Sequence, residues 1–577
     1  MKKTTLLAAC VLSLAMLGGC SLEEPRTGGH VSLPARTEQT VCATEPQSLS
    51  LPVLPDLSDP TEINISAETV EAPGVRPTEN GAEIYLPGVY RLHGVSNEFV
   101  LTVDLLDDEA PLYLILDEVH LSTSFVSPLY FPRCSDCHII LTENTDNSVS
   151  GGAVPNAADV NAAVWTLGNL TVSGGTLTVS GEADNAISSK DEIFLFDAEL
   201  YLSAPDDGIS GRDLLWAENS YICAEVGGDG IKATNLESGK VSLLNCTLEL
   251  VTGLDGIDGA TELCLSGCST SILAGGGHTA AKMKVDDVPR VYDPLKPSYK
   301  GLKSTKATYI YSSTLTADCA DDCIHSDGEL ILKNRALSLS SSDDAVHANG
   351  VLRLTSCTAD IPYCYEGFEG SDVFLENLTA TVRAFDDGVN ASASGAEFVF
   401  DGGELFMVCA GDGIDSNGSI VIEDGTLLIN GPTPDYNSVL DFKLDYGCFV
   451  RGGTYVSTGA SGMALVPEKT DTAAVLSLTF DRQIPPNVPI SVLDKNGRLL
   501  VCFVPEKAWQ NFQFSSPSLA VGQTLTVHLG GSLSQKPENC ISPVLPKGNR
   551  EVCQVRLTSA VTKVNVSTEK ISSPTAS

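Results

Sequence analysis

From residue 161 to about residue 463, apolar and polar positions alternate in short runs, as in LTVSGGTLTV at 170–179. A period of two, punctuated by Gly, Asp or Asn, predicts half-buried strands joined by tight turns. No stretch carries a helical period. Between the runs one phrase recurs: an acid, a Gly or Ala, an aliphatic residue, a variable residue and a small one. It stands at 185–189, 207–211, 229–233, 255–259, 300–304, 322–326, 344–348, 366–370, 387–391 and 412–416. The leading positions step by 22, 22, 26, 45, 22, 22, 22, 21 and 25 residues, the 45 being one repeat plus an insertion. Two or three short strands with tight turns every 22 or so residues make one coil of a solenoid. The fold class predicted is all-β: a right-handed parallel β-helix with a small C-terminal β module. Calcium rolls built on nonapeptides have the wrong period, and leucine-rich repeats would show a Leu ladder.

Stacking gives each column of the phrase a task. The third position (Ile187, Ile209, Ile231, Ile257, Leu302, Ile324, Val346, Phe368, Val389, Ile414) is expected to point inward, each rung covering the next. The Gly before it is expected to supply a positive φ at a corner, and the small residue after it to let coils approach.

The flanks divide the rest. Lys2 and Lys3 precede an apolar run at 6–17 that ends in Leu17-Gly18-Gly19-Cys20, the form of a bacterial lipobox, so residues 1–20 are expected to be a lipoprotein signal and Cys20 the lipidated residue. Six prolines interrupt residues 21–61, which are expected to form a flexible tether with a reach of roughly 35 Å. The β-helix is placed at 62–465, with a loop leaving the wall at 274–299 (GGG, then three prolines). A C-terminal β module is placed at 466–535 and a loose polar tail at 536–577. The expected location is the outer face of the cell membrane, held by the lipid at Cys20. Oligomeric state is open.

Charge alters the picture. A net charge of −39 argues against nucleic acid and anionic lipid as partners. Much of that charge falls on the first position of the phrase: Asp207, Asp229, Asp255, Asp322, Asp344, Glu366, Asp387 and Asp412, with Asp206, Asp321, Asp343 and Asp386 beside them. Coils stack about 4.8 Å apart. Carboxylates at that spacing repel by ~3–4 kcal/mol at the effective dielectric of a protein surface. With few Lys or Arg in the chain, a row of Ca²⁺ ions is the expected remedy, because calcium accepts six to eight oxygens in flexible geometry. The competing reading is that each Asp is a turn residue capping backbone N–H groups. His325 and His347 share the fourth position on adjacent coils; two His without a third firm ligand are a weak metal site. Sixteen cysteines remain once Cys10 and Cys20 are set aside, and most are expected to be small buried hydrophobes, the lone CxxC at Cys134 and Cys137 included.

The DDGI and GDGI phrases, GGDGIKATN at 227–235, YEGFEG at 365–370, GDGIDSNG at 411–418 and GPTP at 431–434 resemble a bacterial family of carbohydrate-binding-domain β-helix proteins. The resemblance, over about residues 63–531, implies a fold similar to polysaccharide lyases, calcium along the helix and a cellulose-like or pectic glycan as ligand. The chain departs from the pattern at Ala186, Cys323 and Ala345, which replace the Gly, and at Lys300, which replaces the acid. Non-catalytic binding of polysaccharide is the first functional expectation, with Trp216, Tyr221, Tyr299, Tyr363 and Tyr365 as candidate sugar platforms. The alternative is a calcium-dependent lyase of uronate polymers, with Lys232 or Lys303 as base. An adhesin or scaffold is the third.

Overall fold

The computed structural model describes residues 45, 47–49, 53–283, 297–470 and 473–568. The signal, Cys20 and most of the expected tether lie outside these, as do residues 284–296 of the inserted loop. Among the described residues the fold is all-β, a parallel solenoid of about 15 turns followed by a C-terminal sheet module.

Each coil has three walls. The recurring phrase supplies a three-residue strand, as in Ile209–Gly211, Ile231–Ala233, Ile257–Gly259 and Leu302–Ser304, each paired in parallel with the next. A second wall follows in strands such as Leu214–Glu218 and Lys240–Leu244, and a third in Tyr221–Val226 and Thr247–Thr252. The inward ladder is as expected: Ile187, Ile209, Ile231, Ile257, Leu302, Ile324, Val346, Phe368, Val389 and Ile414 are all 0% exposed. They belong to one core that runs the length of the coils.

The corner between the second and third walls is left-handed. Asp197, Asn219, Asn245, Gly267, Ser312, Asn334, Ser356 and Asn377 hold it with φ between 44 and 66°, a conformation that Asn, Asp and Gly tolerate best. The following residue then donates back across the corner. Ser220 and Ser313 give their hydroxyls to the carbonyls of Glu218 and Tyr311 (2.9 Å each), and Cys246, Cys268 and Cys357 give thiols to those of Leu244, Ser266 and Thr355 (3.4 Å each). Cysteine here stands in for serine. Twelve of the 15 described cysteines are buried, so most are packed in the interior as expected.

The glycine of the phrase serves another purpose than the one expected. Gly208, Gly230, Gly256, Gly301, Gly367, Gly388 and Gly413 are not among the positive-φ residues. A Cβ added to any of them would meet a backbone carbonyl oxygen of the adjacent coil at 2.4–2.6 Å. They are small because coils touch there.

The ends are closed. A hairpin of Val75–Thr78 and Gly81–Ile84 covers the first coils. At the other end Trp509–Ser515 runs antiparallel to Thr454–Gly459 and carries the wall into the module, whose own core includes Phe480, Trp509, Phe512 and Phe514. The region expected to be a loose tail contributes Arg550–Arg556 and Val561–Val566 to this module. Its residues alternate apolar and polar, and the apolar set buries Val552, Val555 and Val566. The described part of the expected tether also touches the wall: Ser266 donates to Glu45 (2.7 Å) and Ser48 to Glu218 (2.5 Å).

Candidate functional site

The acidic column is first a structural zipper. Asp207, Asp229, Asp255, Asp322, Asp344 and Asp387 each use Oδ1 to accept the backbone N–H that heads the next coil, at 2.5–3.2 Å. Asp412 does the same for Ser438, and Asn185 for Asp207. Aspartate suits the position because its short side chain reaches one coil onward, which is the capping role weighed above. One oxygen of each carboxylate is thereby committed. The other, Oδ2, meets whatever the fourth position offers.

That fourth position forms a second column in register: Lys232, Asp258, Lys303, His325, His347, Glu369, Asn390, Asp415 and Asp441. Cations gather in its first half. Lys232 reaches Asp229 at 2.6 Å, and Lys303 reaches Asp255 and Asp258 at 2.9 Å each. Lys300, on the acid column itself, meets Asp321 at 2.9 Å and Asp322 at 2.5 Å. His325 Nδ1 lies 2.8 Å from Asp322 and His347 Nδ1 3.0 Å from Asp344. The expectation that the row lacks counter-charge is therefore corrected for this half. Few lysines are needed when each stands at a rung.

Burial disfavours the ammonium groups of Lys232, Lys300 and Lys303, yet the adjoining Asp carboxylates outweigh it and hold all three above the ordinary lysine range. The candidate bases Lys232 and Lys303 thus hold their protons more firmly than a free lysine, which is the reverse of what proton abstraction requires. Burial opposes the charge of Asp322 as well, but Lys300 and His325 bring it well below the ordinary carboxylate range.

In the second half the cations stand back, Lys443 acting on Asp415 without an ion pair. Asp387, Asp412 and Asp415 bring oxygens within 4.8 Å of one another, as do Glu366, Asp386 and Asp387. Among the described residues no Lys, Arg or His forms an ion pair with Asp387, Asp412 or Asp415. Burial, then Asp386 and Asp412, pushes Asp387 up to about 9. Burial, then the acids Asp441, Asp415 and Asp386, pushes Asp412 to about 7, and burial with Asp441 pushes Asp415 to about 6. An all-oxygen set of crowded carboxylates is the donor chemistry of a hard divalent cation.

Glu366, Asp386, Asp387 and Asp412 floor an open cleft of about 670 Å³, lined also by Phe385, Asn390, Thr433, Tyr436 and Lys507. Phe385 is 54% and Tyr436 74% exposed. Tyr363 extends the aromatic strip, its ring 4.9 Å from Phe385 and 4.5 Å from His278.

The other expected platforms fare differently. Trp216 is buried under Phe196 and Leu244, and Tyr365 is buried too, so neither offers a face to sugar. Tyr221 is half-buried with its ring 5.6 Å from Tyr201, and Tyr299 packs against Gly275. Asp206 is exposed beside the zipper, and Asp321 and Asp343 cluster with Asp322. Phe385 and Tyr436 were missed. The signals were there: Phe385 directly precedes Asp386-Asp387, and Tyr436 follows the GPTP turn.

The fold and this site define a capped parallel β-solenoid that presents an acidic column with an aromatic-edged cleft near one end. Residues 78–345 match the family model of carbohydrate-binding domain-containing proteins, and it is to that family that the chain is similar. The match agrees with the resemblance carried by the DDGI phrases, and it ends before Glu366, so the cleft lies beyond it. No curated protein matches the chain. Among solved structures, a polysaccharide lyase-like protein from C. thermocellum, determined as a gadolinium derivative, aligns at 18% identity and a TM-score of 0.29, over 51% of this chain and 96% of that one.

Proposed function

We propose that this chain is a non-catalytic polysaccharide-binding lipoprotein, displayed on the outer face of the cell membrane by lipid at Cys20, whose ligand seats in the cleft above Asp387 and Asp412. The observation that carries this reading is the pairing, in one open cleft, of the crowded carboxylates of Asp387 and Asp412, which form no ion pair among the described residues, with the exposed rings of Phe385 and Tyr436. Sugar rings stack on aromatic faces through their C–H edges, burying apolar area on a surface otherwise polar. Calcium is the cation proposed for Glu366, Asp386, Asp387, Asp412 and Asp415. When bound it neutralises the crowded acids and lends the cleft a positive centre for sugar hydroxyls or a uronate carboxylate. Asn390, Lys507 and Thr433 line the same space and orient polar groups of the ligand.

The test is a glycan array probed with the unlipidated chain, with and without calcium, alongside Phe385→Ala and Tyr436→Ala. Binding of a pectic or cellulose-like glycan that both variants weaken is the expected result. Unaltered binding in both variants removes the cleft as the ligand site. Accumulation of an unsaturated uronate product, followed by its ultraviolet absorbance, makes the protein a lyase instead.

A further inference from the structure

We propose that His325, His347 and Asp322 form a binding site for a transition-metal ion of the zinc type, separate from the calcium cleft and built on the cation-rich half of the acid column. One ring nitrogen from each of His325 and His347 and an Asp322 carboxylate oxygen lie within 4.8 Å of one another. The rings sit side by side on adjacent coils, centroids 4.8 Å apart. His325 Nδ1 is 2.8 Å from Asp322 Oδ2 and His347 Nδ1 is 3.9 Å from the same oxygen. A tetrahedral zinc with bonds near 2 Å separates its ligands by about 3.3 Å. Small side-chain rotations bring the trio to that spacing. Asp344 and Glu369 stand 3.0 and 3.4 Å from His347 Nδ1, within reach of the fourth position.

What distinguishes this cluster from a plain run of acids is how the far side of each ring is held. His325 Nε2 faces Asp327 Oδ1 at 3.2 Å, and His347 Nε2 faces Asn349 Oδ1 at 3.2 Å. Asn349 commits its Nδ2 to Asp327 at 2.9 Å, which fixes the amide with its oxygen toward His347. Both oxygens only accept, so both rings carry hydrogen on Nε2. The neutral imidazole then points the Nδ1 lone pair at carboxylate oxygens, a repulsive arrangement unless a proton or a cation lies between. This is the outer layer that metal-ligating histidines ordinarily have: an oxygen on the remote N–H that sets the tautomer and aims the ring. Elsewhere in this half of the column lysine fills the gap and cannot yield to a metal. Histidine can, by releasing its Nδ1 proton. Asp322 also receives Lys300, which keeps Asp321 as its partner when Asp322 turns to the metal. Two imidazoles and a carboxylate suit Zn²⁺, or Cu²⁺ and Ni²⁺ behind it, and not calcium, which takes oxygen.

The experiment is a zinc titration of the unlipidated full chain by calorimetry in saturating calcium, which occupies the hard-cation sites. One equivalent of zinc is expected to bind. His325→Gln and His347→Gln should each abolish that equivalent. Asp327→Ala and Asn349→Ala, which touch only the remote nitrogens at exposed positions, should weaken it about tenfold while leaving the zinc-free melting temperature unchanged. Cobalt in place of zinc should give visible d–d bands with no sulfur-to-metal charge transfer, which sets the site apart from the free cysteines. Zinc stoichiometry unchanged in the two histidine variants, a thiolate band with cobalt, or no zinc binding to the intact chain would each overturn the proposal. Glycan binding is a separate readout, so failure here leaves the proposed cleft untouched.

Discussion

Between Asp229 and Asp344 the outer oxygens of the acid column meet lysine or histidine; between Asp387 and Asp441 they meet one another. Backbone geometry is alike in the two halves, since the same aspartate-to-amide links and the same parallel register run through both. What differs is the fourth residue of the phrase (Lys, Lys, His and His in one half, Glu, Asn, Asp and Asp in the other, with Asp258 the one acid among the cations) and Lys300 in place of an acid at the first. The scaffold's stability therefore does not dictate one electrostatic state. It accepts an internal counter-ion or leaves the place for an external one.

The largest expected effect follows from taking a counter-ion away in the first half. Lys300→Met leaves Asp321 and Asp322 short of a charge in a buried setting, and breaking such a pair costs about 3–5 kcal/mol. Denaturant unfolding should show that loss. A change under about 1 kcal/mol would mean that the two halves do not differ in the way described.

Calcium should act on the other half. Titrated into metal-free protein, it should raise stability by about 2.7 kcal/mol at a hundred times its Kd, with magnesium less effective. Asp387→Asn combined with Asp412→Asn keeps the Oδ1 links to the next coil but removes the charge. The apo protein should then be more stable and the calcium response gone; a response that survives puts the ion elsewhere.

The second half also shapes the pH dependence of stability. Asp387, Asp412 and Asp415 titrate above an unfolded Asp, at about 9, 7 and 6, so the folded state holds the extra protons. Their contribution is fully present below about pH 4 and is lost as pH rises through those values, by at most about 1.4 kcal/mol per pH unit for each proton. His347, drawn up to about 10 by Asp344, Asp322 and Glu369 against the opposing effect of burial, loses its contribution only above its unfolded value. Between about pH 4.5 and 5.5, where a histidine is charged in both states, falling stability with rising pH reports these three acids together with Asp207 and Asp258 of the first half, each pushed to about 6 by burial. Saturating calcium or Asp387→Asn should make it shallower, leaving the part owed to Asp207 and Asp258. An identical slope in all three conditions would assign the effect to other acids.

The smallest effect is on stability at the cleft edge. Tyr436→Ala and Phe385→Ala should shift unfolding by no more than about 0.5 kcal/mol, as exposed side chains do. Their cost should fall on glycan affinity alone. A large stability loss would mean that these rings staple the loop.

Much of this architecture is legible in the chain. Ile231 and Ile414 can be placed inside from the 22-residue step, because a solenoid repeats its burial as it repeats its sequence. The acid column is as plain. Its neutralisation is harder to see, because Lys303 partners Asp255 across an insertion of one repeat, and Lys300 sits where an acid is expected. Trp216 misleads for another reason: its strand position faces outward, yet Phe196 and Leu244 on neighbouring coils close over it. Phe385 and Tyr436 lie outside the phrase, in loops whose shape no periodicity describes. The strands at Arg550–Arg556 and Val561–Val566 are short and polar on one face, so composition conceals them until a partner strand is known.

The aspartate-to-amide link has a bearing on how such a chain changes over generations. Each link joins a residue to the head of the following coil and to nothing further away. Loss or duplication of one whole coil leaves every surviving aspartate with an amide to hold, and residues added between two links are looped out without breaking them, as the 26-residue step from Asp229 to Asp255 and the 25-residue step from Asp387 to Asp412 do. The protein is thus open to lengthening by tandem copying, and because the fourth residue varies freely, each new copy arrives with its own choice of lysine, histidine or acid. A lineage of this kind can adjust the charge along its wall by counting coils, without redesigning any one of them.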